Sequence, residues 1–269
     1  MTVAVGTPEP GSVLAQLEAA QERARRSFSV KFALTWVVLI GLVLVGLWTT
    51  GNIDVGFIAE WGPFIVGGAG LTIFISAVSI VFATFLAIVG AIGRISRNPA
   101  INGVASLYVS LVRGTPLLVQ IYFIYLALPQ LGIVLDAIPA GIIALSFNYG
   151  AYMTEVFRAG IQAVPRGQRE AAQSLGLTER TLMSRIVLPQ AFRIVIPAIG
   201  NDFVSMLKDS SLVSFLAVEE LMFRARLVGQ QNFRGVEALI IAAGIYWILT
   251  IVFSYVQTRL EKRMARGDR

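Results

Sequence analysis

Residues able to do covalent chemistry are scarce in this chain. It contains neither histidine nor cysteine. Disulfides, a histidine general base and a Cys/His zinc site are therefore excluded, and no catalytic or metal-ligating residue can be named. What stands out instead are isolated polar side chains inside apolar runs: Ser76, Gln120, Asn148 and Glu155. Polar groups at that depth usually face the interior of a helix bundle, where they line a substrate path or tie helices together. Gln120 and Asn148 are amides that both donate and accept. Together they can meet an ammonium and a carboxylate without burying net charge. Glu155 sits near the end of its run, where it can attract a cation or pair with Arg158 three residues on. Ser76 can also turn its hydroxyl back onto its own helix. Asp202, Lys208 and Asp209 interrupt a further run. Lys208 and Asp209 are adjacent, so on a helix they point in different directions and read as structural or gating elements rather than as a pair.

The elements that must hold these groups are membrane helices. Of the 269 residues 56% are hydrophobic and 14% charged, against about 25% charged in soluble domains. The apolar residues come in runs near residues 32–48, 63–92, 105–128, 138–155, 194–216 and 238–256. Six such runs predict an all-α integral membrane protein with both ends on one side. Under that topology one side collects seventeen of the 22 Lys and Arg residues, and the other only Arg224, Arg226 and Arg234. The positive-inside bias places the polar segment 1–31 and the basic tail 259–269 in the cytoplasm, around a transmembrane region 32–258. It also accounts for the net charge of +6 without a nucleic-acid partner. No small-residue cleavage site closely follows the basic cluster Arg23, Arg25, Arg26 and Lys31, so no cleaved signal peptide is expected.

Residues 161–192 form a polar loop on the cytoplasmic side. Pro165 suits a helix start, Gly176 the left-handed residue that ends a helix, and Thr178 the cap of a second helix. Pro189 is expected to stop that second helix. Helix, glycine turn, helix is also the outline of a DNA-binding motif, but spans close on either side would keep it out of a major groove. A plain amphipathic surface loop is the bland alternative. The pattern Glu170-Ala171-Ala172, Gly176 four residues on, then Ile186-Val187-Leu188-Pro189 resembles the "EAA" loop of bacterial ATP-binding-cassette importers, a short helix-turn-helix that docks into a groove of the ATPase.

The resemblance extends from about Gly67 to the C-terminus. The stretches 70–76, 113–120 (Arg113-Gly114-Thr115-Pro116 and onward), 148–155, 157–162 and 207–214 are similar to those of the polar amino-acid uptake permeases. That family implies a bacterial inner-membrane, multi-pass permease subunit. It implies coupling through Glu170, Ala171, Ala172, Gly176, Ile186, Leu188 and Pro189. The partners it implies are two ATPase subunits, a second permease chain (identical or a sister), an extracytoplasmic solute-binding protein and an amino-acid substrate within the lipid bilayer. The sequence is consistent on energy supply. Lys31, Lys208 and Lys262 are the only lysines and none follows a glycine, so no phosphate-binding Gly-Lys-Ser/Thr loop exists here. ATP and Mg must bind the partner. An ion- or proton-coupled transporter is the main rival, and a membrane-bound enzyme has few groups to work with.

Overall fold

In hydrocarbon every backbone polar group needs an internal partner, which leaves helices as the natural form for long apolar runs. The computed structural model describes residues 13–51 and 53–265, and no strand occurs among them. The chain divides into two units, residues 1–54 and 55–269.

In the first unit a single helix, α1 (Val13–Gly51), runs for 39 residues, about 58 Å at 1.5 Å per residue. The basic cluster and the first expected span therefore lie on one unbroken helix. Residues 1–12 of the expected polar segment lie outside the described residues.

The second unit contains α2 (Val55–Val66), α3 (Ala69–Ile95), α4 (Pro99–Arg113), α5 (Leu117–Ala127), α6 (Ala137–Ala163), α7 (Arg166–Ser174), α8 (Glu179–Leu182), α9 (Leu188–Asp209), α10 (Leu221–Gln231) and α11 (Gly235–Ala265). Glu60, which lies between the first two expected runs, is part of α2, and the first residues of the expected basic tail continue α11. Residues 266–269 of that tail lie outside the described residues.

Helices α3 and α6 form the centre. They run side by side in the same direction: Ser146 Oγ donates to the Ser79 carbonyl at 3.2 Å, and farther along Arg94 Nε meets Glu155 Oε1 at 3.0 Å. Small residues allow the close approach. Ala83, Ala87 and Ala91 are buried in the shared core with Met153 and Phe157. A Cβ on Gly90 would collide with Thr154, and one on Gly150 would lie 2.9 Å from the Leu86 Cβ. At the other end Glu220 joins three helices. It is fully buried, accepts from Tyr246 Oη at 2.8 Å and Thr72 Oγ1 at 3.2 Å, and caps α10 through the Phe223 amide at 2.8 Å. Burial pushes its carboxyl above the ordinary range, against the pull of these hydrogen bonds.

Four helical stretches among the described residues are long and apolar enough to cross a membrane: Ala19–Val43, Val55–Ile95, Glu179–Leu216 and Gly235–Met264. Two of the expected spans differ from expectation. The run near 105–128 is not one helix: Pro99–Arg113 and Leu117–Leu131 meet at 109°. Pro116 has no amide proton and forces Thr115 out of the helical region, and Gly114 caps the first segment. The run near 138–155 becomes α6, whose 27 residues reach about 40 Å. Its apolar content is lower because its polar residues, Ser146, Asn148 and Thr154 among them, are buried against other helices rather than facing lipid.

Candidate functional site

Two places combine polar chemistry with position. The first is the loop between α6 and α9. Its glycine turn closes as a Schellman motif: the Leu177 amide donates to the Ala172 carbonyl at 3.1 Å and the Gly176 amide to Gln173 at 2.9 Å. Gly176 has φ +71°, the left-handed conformation its position requires. Thr178 Oγ1 accepts from the Thr181 amide at 3.3 Å and caps α8. The inner face of the loop is apolar. Ala172, Leu182 and Val187 are buried, and Ile186 and Leu188 pack against the same cluster as Phe157, Ile161 and Val195. Arg169 Nη2 reaches the Ile161 carbonyl at 2.6 Å, tying α7 to the end of α6. The outer face presents Glu170, Ala171 and Gly176, with Leu175 80% exposed.

Pro189 does not end the second helix. It is the second residue of α9, and the stretch before it, Met183–Val187, is a π-helical turn in which the Leu188 amide donates to Met183. The longer i→i+5 spacing leaves room for a residue that has no amide to give. The chain from Glu179 to Leu216 is consequently one helical stretch linking the loop to the membrane core.

The second place is a recess of about 340 Å³ at the α4–α5 break. Thr115, Pro116 and Leu117 line it from the break, Asn148, Tyr149 and Tyr152 from α6, and Asp202, Ser205 and Asp209 from α9. Tyr149 Oη donates to Asp209 Oδ2 at 2.7 Å. Asp202 Oδ2 is buried and has no hydrogen-bond partner among the described residues. A carboxylate oxygen so placed is expensive to leave unmatched. In this conformation the oxygen is closed off from the surroundings. Lys208 is exposed, so it and Asp209 face different surroundings, as their adjacency implies.

Of the polar residues named from the sequence, Asn148, Asp202 and Asp209 line this recess, whereas Ser76, Gln120, Glu155 and Lys208 do not. Gln120 stands behind it: its Nε2 lies 2.7 Å from the Val112 carbonyl and 3.0 Å from that of Thr115, and its Oε1 accepts from Asn148 Nδ2 at 3.1 Å. Gln120 thus replaces the donor that Pro116 lacks and holds Asn148 in place. Glu155 is engaged by two arginines, Arg94 at 3.0 Å and Arg158 at 2.7 Å, and ties α3 to α6 away from the recess. Ser76 is buried, donates to the Thr72 carbonyl at 2.8 Å and approaches that of Met206 at 3.5 Å, between α3 and α9. The lining residues not named as candidates from the sequence are Tyr149, Tyr152 and Ser205. The signal for the carboxylates was their spacing: residues 202 and 209 are seven apart, on one helix face.

This arrangement makes Gln120 a positioning residue. In Gln120→Leu the Asn148 amide and the exposed Thr115 carbonyl lose this partner, and the Val112 carbonyl keeps only the 3.5 Å contacts from the Thr115 amide and hydroxyl, where a buried group left unsatisfied costs about 1–3 kcal/mol. The variant should therefore lower the melting temperature in detergent and the uptake rate together. Asn148→Leu should lower uptake with a smaller change in melting. A Gln120→Leu protein that melts like wild type would remove Gln120 from this role.

Known proteins resemble the chain over most of its length. The family model described as "Binding-protein-dependent transport system inner membrane component" matches residues 79–266. The L-cystine transport system permease protein TcyB of Bacillus subtilis (strain 168) is 42% identical over 205 residues, covering 76% of this chain and 88% of that protein. The arginine transport system permease protein ArtQ of the same organism is 36% identical over 218 residues, covering 81% of this chain and all 100% of that one. Among solved structures, a chain from the crystal structure of an amino acid ABC transporter with histidines superposes with a TM-score of 0.74 at 37% identity, over 78% of this chain and 99% of that chain. A chain of the MetNI methionine ABC transporter in an inward-facing conformation superposes at 0.60 with 16% identity, over 74% of this chain and 95% of that one, a likeness of fold.

Proposed function

Because this chain belongs to the family of binding-protein-dependent transport system inner membrane components, we propose that it is the membrane-spanning subunit of an ATP-binding-cassette importer for polar amino acids. Relatives named for the transport of L-cystine, arginine and glutamine support the substrate class. The observation that carries the reading is α9. One helical stretch joins the exposed loop at Glu179 to Asp202 and Asp209 in the recess. A partner that grips Glu170, Ala171 and Leu175 and moves the loop moves the recess with it, since the loop's apolar face is packed onto the ends of α6 and α9.

In this reading two ATPase subunits dock beneath residues 161–192, with Glu170, Ala171, Ala172, Gly176, Ile186, Leu188 and Pro189 forming or shaping the contact. ATP and Mg bind those subunits, and the permease forms no covalent intermediate. A second permease chain, identical or a sister, completes the path, and an extracytoplasmic binding protein delivers the amino acid. Six crossings of the bacterial inner membrane follow: α1, α2 with α3, the bent pair α4–α5, α6, α9 and α11, with both termini in the cytoplasm. The recess receives the substrate's ammonium.

Reconstitution with the cognate ATPase and binding protein tests the whole. Uptake into proteoliposomes should require ATP hydrolysis and the binding protein together. Uptake driven by an ion gradient without ATP would instead support a secondary transporter. Topology is tested separately in this cysteine-free chain. Single cysteines at Ser174 in the loop and at Phe233, 95% exposed between α10 and α11, should be labelled by an impermeant reagent from opposite sides. Labelling of both from outside would sink the six-span arrangement.

A further inference from the structure

A groove of about 560 Å³ runs between α3 and α4, with α6 also contributing to its wall. Leu86 and Val89 of α3, Ile101, Val104 and Tyr108 of α4, and Phe147 of α6 line it. The Tyr108 hydroxyl donates to the Phe147 carbonyl at 2.7 Å, so it offers no free donor to a ligand. Ile101 and Val104 are 51% and 72% exposed, and the groove is open toward the surroundings of the helices. Its place on α6 separates it from the recess. At 3.6 residues per turn, Phe147 lies roughly 150° around the helix from the middle of the arc made by Asn148, Tyr149 and Tyr152. Whatever fills the groove is therefore not in the substrate's way.

One end of the groove is charged. Gly93 and Ala100 are in its lining, and the turn between them carries two arginines with different fates. Arg94 is held by Glu155 and by the Ser106 hydroxyl. Arg97 is exposed and forms no ion pair among the described residues. An apolar trough of ligand size that adjoins, through Gly93 and Ala100, a turn carrying an exposed arginine with no ion pair among the described residues matches an amphiphile with an anionic head and a hydrocarbon tail. Arginine is also the side chain best shaped for a phosphate.

We propose that this groove is a phospholipid site: one acyl chain lies between α3 and α4, and the headgroup phosphate sits on Arg97. The site prefers an anionic lipid over a zwitterionic one, because the cation at its mouth carries no protein counter-charge. It holds a particular lipid tightly enough to survive removal of the bulk bilayer, which separates it from the ordinary annulus around the spans.

Native mass spectrometry of the detergent-purified full chain, supplied with phosphatidylglycerol or phosphatidylcholine, tests this. Wild type should keep a phosphatidylglycerol adduct in preference to phosphatidylcholine. Val104→Trp, which fills the groove from an exposed position, should lower retention of both lipids roughly ten-fold. Arg97→Gln should abolish the preference while leaving a residual adduct of either lipid. Inorganic phosphate added in excess should not displace the lipid, since it cannot occupy the trough; displacement would assign the site to free phosphate and overturn the proposal. Ile101→Trp provides a second filling variant should Val104→Trp fail to fold, as judged by its melting curve. Folded filling variants that keep wild-type adducts would overturn the proposal. So would a cysteine at Val104 that cross-links to its counterpart in a second chain, which would make the groove an interface between copies.

Discussion

With Gly176→Val, the ATPase should no longer copurify with the permease, and uptake should fall roughly 5- to 30-fold, the factor that about 1–2 kcal/mol produces. The argument rests on conformation alone. Gly176 has φ +71°, and a Cβ placed there meets nothing within 4 Å. The substitution therefore causes no clash with neighbours; it asks a β-branched residue to adopt the left-handed region that such residues resist. Relaxing that strain means opening the Schellman closure between Ala172 and Leu177, and α7 would swing relative to α8. The exposed set Glu170, Ala171 and Leu175 would lose its orientation toward the ATPase. The spans are untouched, so membrane insertion and melting of the helical core should stay near wild type. Gly176→Asn is the control, since asparagine tolerates the left-handed region, and it should retain most of the docking. A pull-down of the ATPase combined with uptake in the same vesicles gives the answer. Normal transport by the valine variant would remove this loop from the coupling path.

Much of this loop was legible because its signals are local. A glycine at the end of one helix and a threonine at the start of the next act within four residues, and the structure realises both. Most of the signals that mislead are changed by a second signal close by in the sequence, and one, at Glu155, by a side chain far along the chain. Pro189 looks like a helix stop, yet the π turn before it satisfies the backbone and the helix continues into the membrane. Gly114 and Pro116 lie inside the third apolar run, but hydropathy counts a run of apolar residues regardless of a bend and is blind to the 109° break. Depth alone makes Gln120 a pathway amide. Its position four residues after Pro116 explains it better, as the donor for carbonyls that the break exposes. Glu155 had its local partner Arg158 in view, whereas Arg94 is 61 residues away in sequence and could not be paired without the parallel packing of α3 and α6. Asp202 and Asp209 were seen as interruptions of a run, although their seven-residue spacing already placed both on the face that forms the recess.

Those two carboxylates carry the second large effect. In Asp202→Asn the transport of a cationic amino acid should fall roughly ten- to hundred-fold, as about 1.5–3 kcal/mol for a hydrogen bond to a charged group implies. The buried Oδ2 of Asp202 has no partner among the described residues, and under the proposed function an ammonium or guanidinium reaching it as the recess opens would supply the hydrogen bond it lacks. Asparagine preserves the shape of the side chain and removes the charge, which separates electrostatics from packing. Asp209 differs because Tyr149 already donates to it at 2.7 Å. Asp209→Asn should reduce uptake as well, and Tyr149→Phe should produce part of the same loss by freeing the carboxylate to turn away from the recess. A substrate with a neutral side chain keeps only its α-ammonium, so its uptake should suffer less than that of a cationic one in all three variants. An acidic substrate should be transported no worse by Asp202→Asn than by wild type, because a repulsive charge has been removed. Competition assays in proteoliposomes, with cationic, neutral and acidic amino acids at fixed ATP, read these ratios directly. The ATPase rate stimulated by the loaded binding protein provides the check on assembly. If Asp202→Asn stays assembled and lowers uptake of all three classes by the same factor, Asp202 supports the helix packing and does not meet the substrate.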